Sequence, residues 1–260
     1  MNYRHIYHAG SFTDVFKHVI LCILLNNLQK KGKPFCYIDS HAGLGIYDLS
    51  AAEVSRSPEY QQGIAQLITL PALSDEIANY VKIVNSFQKD NLLLTYPGSP
   101  LIAAHFLGEH DKLILNELHP EDFIKLKKNM KQYHRAHCHQ RDAYEFLPAI
   151  LPPTPKRGLI LIDPPYEKTS EYDDIIDVLK KSLKRFENGI YMLWYPIVND
   201  AHTKLVNKIK TTVKQPIIHA EMISQHSKTR LRGSGVIIIN PPWNIENKII
   251  CVTEKLKKLL

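Results

Sequence analysis

The sequence predicts an α/β fold in which helices cover a mostly parallel β-sheet. Short apolar runs that suit buried strands alternate along the chain with longer stretches of helical periodicity. Several of these runs are followed directly by an acidic residue, as in open sheets whose strands end at a ligand site. Such alternation is typical of parallel strands joined by crossover helices. For a chain of 260 residues, we expect one enlarged domain.

The predicted elements begin with a helix over 14–30, in which Val15, Val19 and Ile23 recur with helical spacing. Further along, Ser99 is a predicted N-cap because a proline follows it at the first helical position. Buried strands are predicted at 34–38, 112–115, 158–162, 189–194 and 235–239, and further helices at 121–133 and 172–186.

The segment 48–94 breaks this rhythm, because it is helix-prone and poor in strand signals. Pro58 and Pro71 interrupt it, and its second half has the apolar spacing of a helix. We therefore predict that 48–94 is a small inserted helical subdomain. Residues 1–47 and 95–260 would then form the α/β domain.

Composition and charge limit the class of protein and its partners. Hydrophobic residues make up 44% of the chain, which predicts a soluble globular protein, and the formal charge of +7 favours a polyanionic partner. The N-terminus is polar and no run of about 18 apolar residues follows, so we expect a cytoplasmic protein with no membrane partner. The four cysteines lack paired spacing, so disulfides are not expected. In the cluster His134, His137, Cys138 and His139, neighbouring strand residues point to opposite faces, so a metal site is not expected either.

A glycine turn follows the first predicted strand. Residues 39–45, Asp-Ser-His-Ala-Gly-Leu-Gly, lie where open α/β sheets bind ligands, and Gly43 allows close approach of the backbone. A dinucleotide cofactor is disfavoured because Asp48 occupies the third glycine position of GxGxxG. Glu117 and Asp142 end two further strands and could bind the ribose hydroxyls and the adenine amino group of an adenosine-containing cofactor. Taken alone, Glu117 also suits a surface acid and Asp142 a helix cap.

The motif Asp163-Pro164-Pro165-Tyr166 follows another buried strand. The lone pair of an exocyclic amino group is conjugated into the base and must be redirected before it can attack a sulfonium methyl group. The Asp163 carboxylate and the Pro164 carbonyl can each accept one amine hydrogen, while Tyr166 stacks on the flipped base. This chemistry predicts an S-adenosylmethionine-dependent methyltransferase with these three catalytic residues, in which positioning and electrostatics supply most of the rate.

A second motif, Asn240-Pro241-Pro242-Trp243, also follows an apolar run and ends in an aromatic residue. Strand order distinguishes the two motifs. If Asp39 ends the first cofactor strand, Glu117 and Asp142 end the second and third, and Asp163 ends the fourth. Because Asn240 comes too late in this order, we predict that it has a structural role.

Five segments carry a resemblance to a known family: 3–10, 14–18, 39–45, 96–100 and 163–166. Together they resemble the RlmJ family of bacterial 23S rRNA adenine-N6 methyltransferases, and the resemblance extends over nearly the whole chain. It implies a Rossmann-like class I methyltransferase fold, with a seven-stranded, mostly parallel sheet and a small helical subdomain. It also implies methylation of N6 of a single adenine in 23S rRNA, adenine 2030 in the family.

The resemblance also implies residue roles and partners. Tyr3 and Tyr166 would bind the substrate RNA, which would be either free or part of an early assembly particle, and the enzyme is expected to be a monomer. The chain departs from the family at Ala143, where a glycine is expected. The residues implied or predicted to bind S-adenosylmethionine are Lys17, His18, His41, Gly43, Ser99, Glu117, Asp142, Ala143 and Asp163.

Two alternatives remain open from the motifs themselves. The Asp163 motif suits adenine N6 or cytosine N4 in DNA equally well, because its chemistry does not depend on the sugar. A non-catalytic RNA-binding protein could use a basic surface that includes Lys228, Arg230 and Arg232. The intact carboxylate and glycine turn favour an enzyme over this second alternative.

Overall fold

A seven-stranded sheet forms the centre of the protein in the computed structural model, which describes residues 4–88, 92–224 and 231–260. A separate antiparallel pair, β2 with β3, lies beside it. The strands are β1 (Cys36–Asp39), β2 (Ile46–Asp48), β3 (Thr95–Pro97), β4 (Lys112–Asn116), β5 (Ala136–His139), β6 (Gly158–Ile162), β7 (Ile190–Ile197), β8 (Ile217–Ile223) and β9 (Gly233–Ile239).

The main sheet has the strand order β5-β4-β1-β6-β7-β9-β8, in which β9 is antiparallel to its neighbours. The parallel strands therefore end together at one edge, which we call the carboxyl edge, and begin at the opposite amino edge. The chain first adds strands on one side of β1 and then crosses to add β6 on the other. Ligand sites of open α/β sheets lie at such a switch point. The predicted α/β fold with a mostly parallel sheet is confirmed.

Helices cover both faces of the sheet because the strand side chains alternate between two apolar cores. Among the described residues, no helix is long and apolar enough to cross a membrane. The helices are α1 (Phe12–Lys30), α2 (Ala52–Arg56), α3 (Ile64–Ile68), α4 (Asp75–Asn85), α5 (Ser99–His105), α6 (Pro120–Asn129), α7 (Ala143–Ile150), α8 (Glu171–Arg185), α9 (Ala201–Thr212) and α10 (Glu246–Leu259). Helices α1, α4, α5, α6 and α10 contribute to the core on one face, and α7, α8 and α9 to the core on the other.

Helix α1 is buried on almost all sides, because it packs against α4, α5, α10 and the sheet. Its first turn is capped by the Ser11 hydroxyl, which accepts a hydrogen bond from the Asp14 amide. Lys17 and His18 lie in its second turn and are also buried. Polar side chains in such a position need partners, because an unpaired buried charge is strongly destabilising.

Several predicted boundaries needed correction; the helix expected at 121–133, for example, ends at Asn129. The first strand was expected at 34–38, but β1 begins at Cys36, since Pro34 has no amide hydrogen for a ladder. Ser99 is the first residue of α5 rather than its cap, which is Gly98, and the Ser99 hydroxyl donates instead to Asp39.

Three helices, α2, α3 and α4, lie within the segment 48–94. Apolar residues of this segment, such as Ile64, Ile77 and Tyr80, pack in the same core as α1. The Tyr80 hydroxyl also hydrogen-bonds to that of Tyr96 at 2.8 Å. These contacts attach the segment firmly to the rest of the chain, and its status as a separate subdomain stays a prediction.

Candidate active site

A cavity of about 290 Å³ opens at the carboxyl edge, beside the switch point of the sheet. Its volume is at the lower end of the range of small-molecule sites, roughly 300–1000 Å³. The turn after β1, the ends of β4, β6 and β7, and the start of α1 all contribute side chains. The predicted site residues that line it are Lys17, His18, His41, Gly43, Ser99, Glu117, Asp163, Pro164 and Tyr166.

The turn after β1 needs its glycines. Gly43 and Gly45 have φ angles of 59° and 78°, in the left-handed region that favours glycine. A side chain at Gly43 would also collide with the Tyr47 hydroxyl. This geometry leaves the Gly43 amide free to donate to Glu117 Oε2 at 2.9 Å.

Glu117 is held by backbone amides at the end of β4. Its Oε1 accepts a hydrogen bond from the His119 amide at 2.9 Å, so both carboxylate oxygens are fixed. Burial raises the pKa of Glu117, and the two amide hydrogen bonds oppose that shift. A carboxylate has about four acceptor positions, so the oriented group keeps capacity for two ligand hydroxyls.

Asp163 belongs to a buried chain of charged groups. Lys17 Nζ lies 2.6 Å from Asp163 Oδ2 and 2.8 Å from Asp14 Oδ1. Asp14 Oδ2 in turn lies 2.8 Å from His5 Nε2 and accepts the Gly10 amide at 3.0 Å. The first turns of α1 are thereby tied both to the N-terminal segment and to the end of β6.

The charges in this chain stabilise one another against the cost of burial. Burial alone would raise the pKa of Asp14, but His5 and Lys17 hold that pKa well below its usual range. Burial alone would lower the pKa of Lys17, but Asp14 and Asp163 raise it above its ordinary value. Lys17 is therefore a permanent cation beside Asp163.

Aromatic side chains form one wall of the cavity. Tyr166 has a φ of 54°, and its hydroxyl donates to the Trp194 carbonyl at 2.8 Å. Its ring centroid lies 4.9 Å from that of Tyr172 and 6.2 Å from that of Trp194. Lys17 Nζ lies 5.5 Å from the centroid of the Trp194 ring. The wall offers flat apolar surface next to the Asp163 carboxylate.

Asp39 is fully buried and fixes two residues of the cavity lining, Ser99 and His41. Its Oδ2 accepts hydrogen bonds from the Ser99 and Tyr37 hydroxyls at 2.7 and 2.9 Å, and its Oδ1 accepts the His41 amide at 3.2 Å. Burial raises the pKa of Asp39 to about 6, although these hydrogen bonds oppose the shift. Burial also lowers the pKa of His41 to about 4, so the His41 ring is neutral near pH 7.

Some predicted residues lie outside the cavity lining. Asp142 caps α7, where it accepts hydrogen bonds from the amides of Tyr144 and Glu145, and Ala143 is the first residue of that helix. Tyr3 lies outside the described residues, as do Lys228 and Arg230. No group of three or more potential metal ligands occurs in the part of the chain that the structure describes.

The Asn240 motif lies at the wrong edge of the sheet for this site. Because β9 is antiparallel to β7, its last residue, Ile239, pairs with Tyr191 near the start of β7. The Asn240 amide group donates to the carbonyls of Glu187 and Gly189 at 2.6 and 2.8 Å. Asn240 therefore holds together the loops of the amino edge, as its predicted structural role requires.

Several cavity residues, Asp14 among them, carry no role in the sequence analysis, and the pairing of Asp14 with Lys17 is not predicted there. Asp14 and Lys17 are three positions apart, which is a usual spacing for an ion pair on a helix, but the sequence gives no sign that the pair is buried. His5, Asp122 and Trp194 also line the cavity. Their contributions depend on long-range packing, since Arg4 binds Asp122 across 118 positions of sequence.

The fold and the site together define a Rossmann-like methyltransferase whose methyl donor is S-adenosylmethionine. The glycine turn, the fixed Glu117 carboxylate and the cavity at the switch point fit an adenosine-containing donor. Residues 32–260 match the family described as "Ribosomal RNA large subunit methyltransferase D, RlmJ". The chain belongs to this family, as the sequence resemblance predicted.

Relatives and a solved structure agree with this assignment. The chain is 39% identical over 252 residues to "Ribosomal RNA large subunit methyltransferase J" of Escherichia coli, covering 96% of this chain and 90% of that protein. It is 38% identical to the Haemophilus influenzae protein of the same name, covering 100% and 94%. A crystal structure of a Legionella pneumophila protein is 34% identical, with a TM-score of 0.89 and coverage of 97% and 94%.

Proposed function

We propose that this enzyme transfers a methyl group from S-adenosylmethionine to N6 of a single adenine in 23S ribosomal RNA. The observation that carries the proposal is the placement of Asp163. Its Oδ2 lies 2.6 Å from Nζ of the buried Lys17, and it lines a cavity that aromatic rings also line. The relatives named as large-subunit rRNA methyltransferases support ribosomal RNA as the substrate. We propose adenine 2030, the family's position, as the target.

The roles proposed for the catalytic residues follow from two oxygen atoms that can accept the hydrogens of the target amine and from one aromatic ring. Lys17 occupies Oδ2 of Asp163, which leaves Oδ1 to accept one hydrogen of the target amine. The Pro164 carbonyl accepts the other, and its rigid ring restricts where that carbonyl points. Tyr166 provides a surface on which a flipped adenine can stack. When bound, S-adenosylmethionine supplies an electrophilic methyl group on a positively charged sulfur.

The remaining site residues are proposed to hold the donor. Glu117 would bind its ribose hydroxyls, and Gly43 and His41 would contact it through the turn after β1. Ser99 and His18 line the same cavity. The proposed donor-binding residues also include Lys17, Asp163, Ala143 and Asp142. Asp142 lies outside the cavity lining, but its charge acts on the His41 ring.

Three proposals concern the protein as a whole. We propose that 48–94 is an inserted helical subdomain, that the enzyme is a monomer, and that it is cytoplasmic. We further propose that Tyr3 contacts the RNA, because the N-terminal segment reaches the cavity through His5. The substrate is proposed to be rRNA that is free or in an early assembly particle.

Mass spectrometry of 23S rRNA tests the proposed reaction. Cells that lack this protein should lose one methyladenine, and a plasmid that carries the gene should restore it. The Asp163→Ala variant should fail to restore it, whereas Asn240→Ala should succeed. Unchanged rRNA in the deletion strain, or methylation of DNA by the purified enzyme, would contradict the proposal.

Calorimetry with S-adenosylhomocysteine separates an enzyme from a protein that merely binds RNA. The wild-type protein should bind the ligand, and Asp163→Ala should stay folded but lose methyl transfer. Absence of binding to the folded wild-type protein would reject the methyltransferase mechanism. Near-normal turnover by Asp163→Ala would move the catalytic centre elsewhere.

A further inference from the structure

The net positive charge of the protein comes from the amino edge, opposite the candidate active site. Six segments lie at this edge because they precede the strands that begin there, and a seventh lies there because it follows β9, which ends there. The six strands are β1, β4, β5, β6, β7 and β8. We call these seven segments the basic edge. They comprise residues 30–35, 107–112, 130–135, 151–157, 184–189, 213–216 and 240–245.

The basic edge accounts for the whole net charge of the chain. It contains eleven lysine and arginine residues but three aspartate and glutamate residues. The rest of the chain, with 22 lysine and arginine residues and 23 aspartate and glutamate residues, is nearly neutral. Such segregation creates a positive potential over one face, which attracts polyanions.

The cations of the basic edge are not neutralised by ion pairs. Arg135 donates to the Gly108 carbonyl and Arg185 to the Leu151 carbonyl at 2.8 Å, and neither contact removes charge. Arg157 donates to the carbonyls of Leu28 and Lys33. None of the eleven forms a salt bridge with a described carboxylate.

One of the three acids is directed into the protein. Asp111 is 7% exposed, and its two oxygens accept hydrogen bonds from the amides of Phe35 at 2.7 Å and Gly108 at 2.6 Å. The acids that remain on the surface are Glu109 and Glu187. Two of the three acids are therefore exposed among the cations of the edge, and the third is bound by backbone amides.

An exposed aromatic ring completes this surface. Trp243 is 86% exposed and follows two prolines that begin at the end of β9. Asn240 fixes the start of that motif through its bonds to Glu187 and Gly189. Lys184 and Lys214 line a groove between α8 and α9 on the same edge. An exposed indole on the same edge as lysines that form no salt bridge is a combination that binds unpaired bases and their phosphates.

We propose that the basic edge is a second RNA-binding surface, which contacts phosphates of the ribosomal RNA away from the target adenine while Trp243 stacks on an unpaired base. This inference rests on the proposed rRNA substrate. The five residues of β6 span about 17 Å, so one folded RNA can reach both Asp163 and the basic edge. Trp243 is the large exposed apolar residue of the edge, whereas membrane-surface binding uses several.

A matched pair of triple variants tests the proposal. The edge variant replaces Lys33, Lys156 and Lys214 by glutamine, and all three side chains are exposed. The control variant replaces Lys82, Lys255 and Lys258, which are equally exposed but lie in α4 and α10. Each variant removes three positive charges, so the two differ only in where the charge is lost.

Binding is measured over a series of salt concentrations with two RNAs. One is a 23S rRNA fragment of several hundred nucleotides, and the other is a short hairpin that carries the target adenine. For the long fragment, the edge variant should reduce the slope of log K against log salt by about two to three, since each phosphate contact contributes about 0.7 to 0.9. We expect at least about tenfold weaker binding near 0.1 M salt, with hairpin binding and S-adenosylhomocysteine affinity unchanged.

The outcomes separate this proposal from the one on which it rests. Equal weakening by the edge and control variants would show a general effect of charge and overturn the inference. If the edge variant loses binding to vesicles with anionic lipid but keeps its RNA binding, the edge binds a membrane instead, and the inference is overturned as well. If the wild-type protein binds neither RNA, the proposed substrate itself fails.

Trp243→Ala tests the stacking contact independently. We expect about fivefold or greater loss of affinity for the long fragment, the lower end of the effect of removing one stacked base, and no loss for the hairpin. Because the ring is exposed, the free energy of unfolding should stay close to that of the wild type. Unchanged affinity for the long fragment would exclude Trp243 from the contact.

Discussion

Replacing Lys17 by methionine removes the ammonium group that lies between the carboxylates of Asp14 and Asp163. Methionine has a similar length, so the cavity that the change leaves is small. The electrostatic loss is large, because the side chains of Lys17 and Asp14 are 3% and 2% exposed and the two ion-pair distances are 2.8 and 2.6 Å. Breaking a buried pair in this way typically costs about 3–5 kcal/mol, out of a total stability of about 5–15 kcal/mol.

The double variant Asp14→Asn/Lys17→Met separates charge burial from catalysis. It removes the buried Asp14 charge that has lost its lysine partner, so urea unfolding should show it at least about 1 kcal/mol more stable than Lys17→Met alone. Methyl transfer should stay strongly impaired in both, because Asp163 has lost its cation in each. A double variant less stable than the single one would refute the account of a mutually compensating charge chain, and normal turnover in either would refute the role of Lys17.

Three further predictions follow from other groups. Glu117→Gln should weaken S-adenosylhomocysteine binding about tenfold or more, as expected for loss of charge-assisted hydrogen bonds, which calorimetry measures. Asn240→Ala loses two hydrogen bonds at the amino edge and should lower the free energy of unfolding by about 1–3 kcal/mol while kcat stays unchanged. Burial lowers the pKa of His18 to about 3 and of His41 to about 4, so below about pH 6.5 the unfolded chain binds more protons at these two residues and their contribution to stability should fall towards pH 4. Asp39, whose pKa burial raises to about 6, opposes part of that loss. Unfolding titrations at pH 7, 6 and 5 measure that slope, which should become smaller in His18→Gln.

Each of these predictions has a result that would count against it. Normal ligand affinity in Glu117→Gln would remove Glu117 from the donor site. A large loss of kcat in Asn240→Ala would mean that the amino edge influences catalysis. Stability that stays constant or rises between pH 7 and pH 5, after comparison with His18→Gln, would show that the buried histidines do not control acid sensitivity.

The sequence predicts the strands of this fold best where they are buried on both faces. The uninterrupted apolar runs of β6 and β9 are evident because both faces of each strand contact helices. Strand β8 was missed, since His219 and Glu221 alternate with its apolar residues in an edge strand. The β2–β3 pair was missed as well, because three-residue strands separated by 46 positions have no local signal.

For the site, the sequence shows which residue types are present, but it does not show how deeply each residue is buried or which partners it contacts. Asp163 and Glu117 could be placed at the cavity because each follows a strand in an order that recurs in open sheets. The role of Asp14 could not, because it depends on the contact with His5 and on the packing of α1 against the sheet. A salt bridge three positions apart on an exposed helix contributes little, whereas the same spacing in this buried helix fixes the cation next to the proposed catalytic carboxylate.

The two proline motifs show why local sequence is insufficient to assign chemistry in this protein. Each follows a buried strand of the same sheet and contains a residue with a φ near 55°, Tyr166 in one and Asn240 in the other. Because β6 and β9 run in opposite directions, the Asp163 motif meets the glycine turn and the Asn240 motif meets the lysines of the basic edge. Asp163 keeps a free oxygen at a cavity, whereas the Asn240 amide is used in two loop hydrogen bonds. Strand direction therefore places the proposed catalytic carboxylate at one edge of the sheet and the proposed second RNA-binding surface at the other.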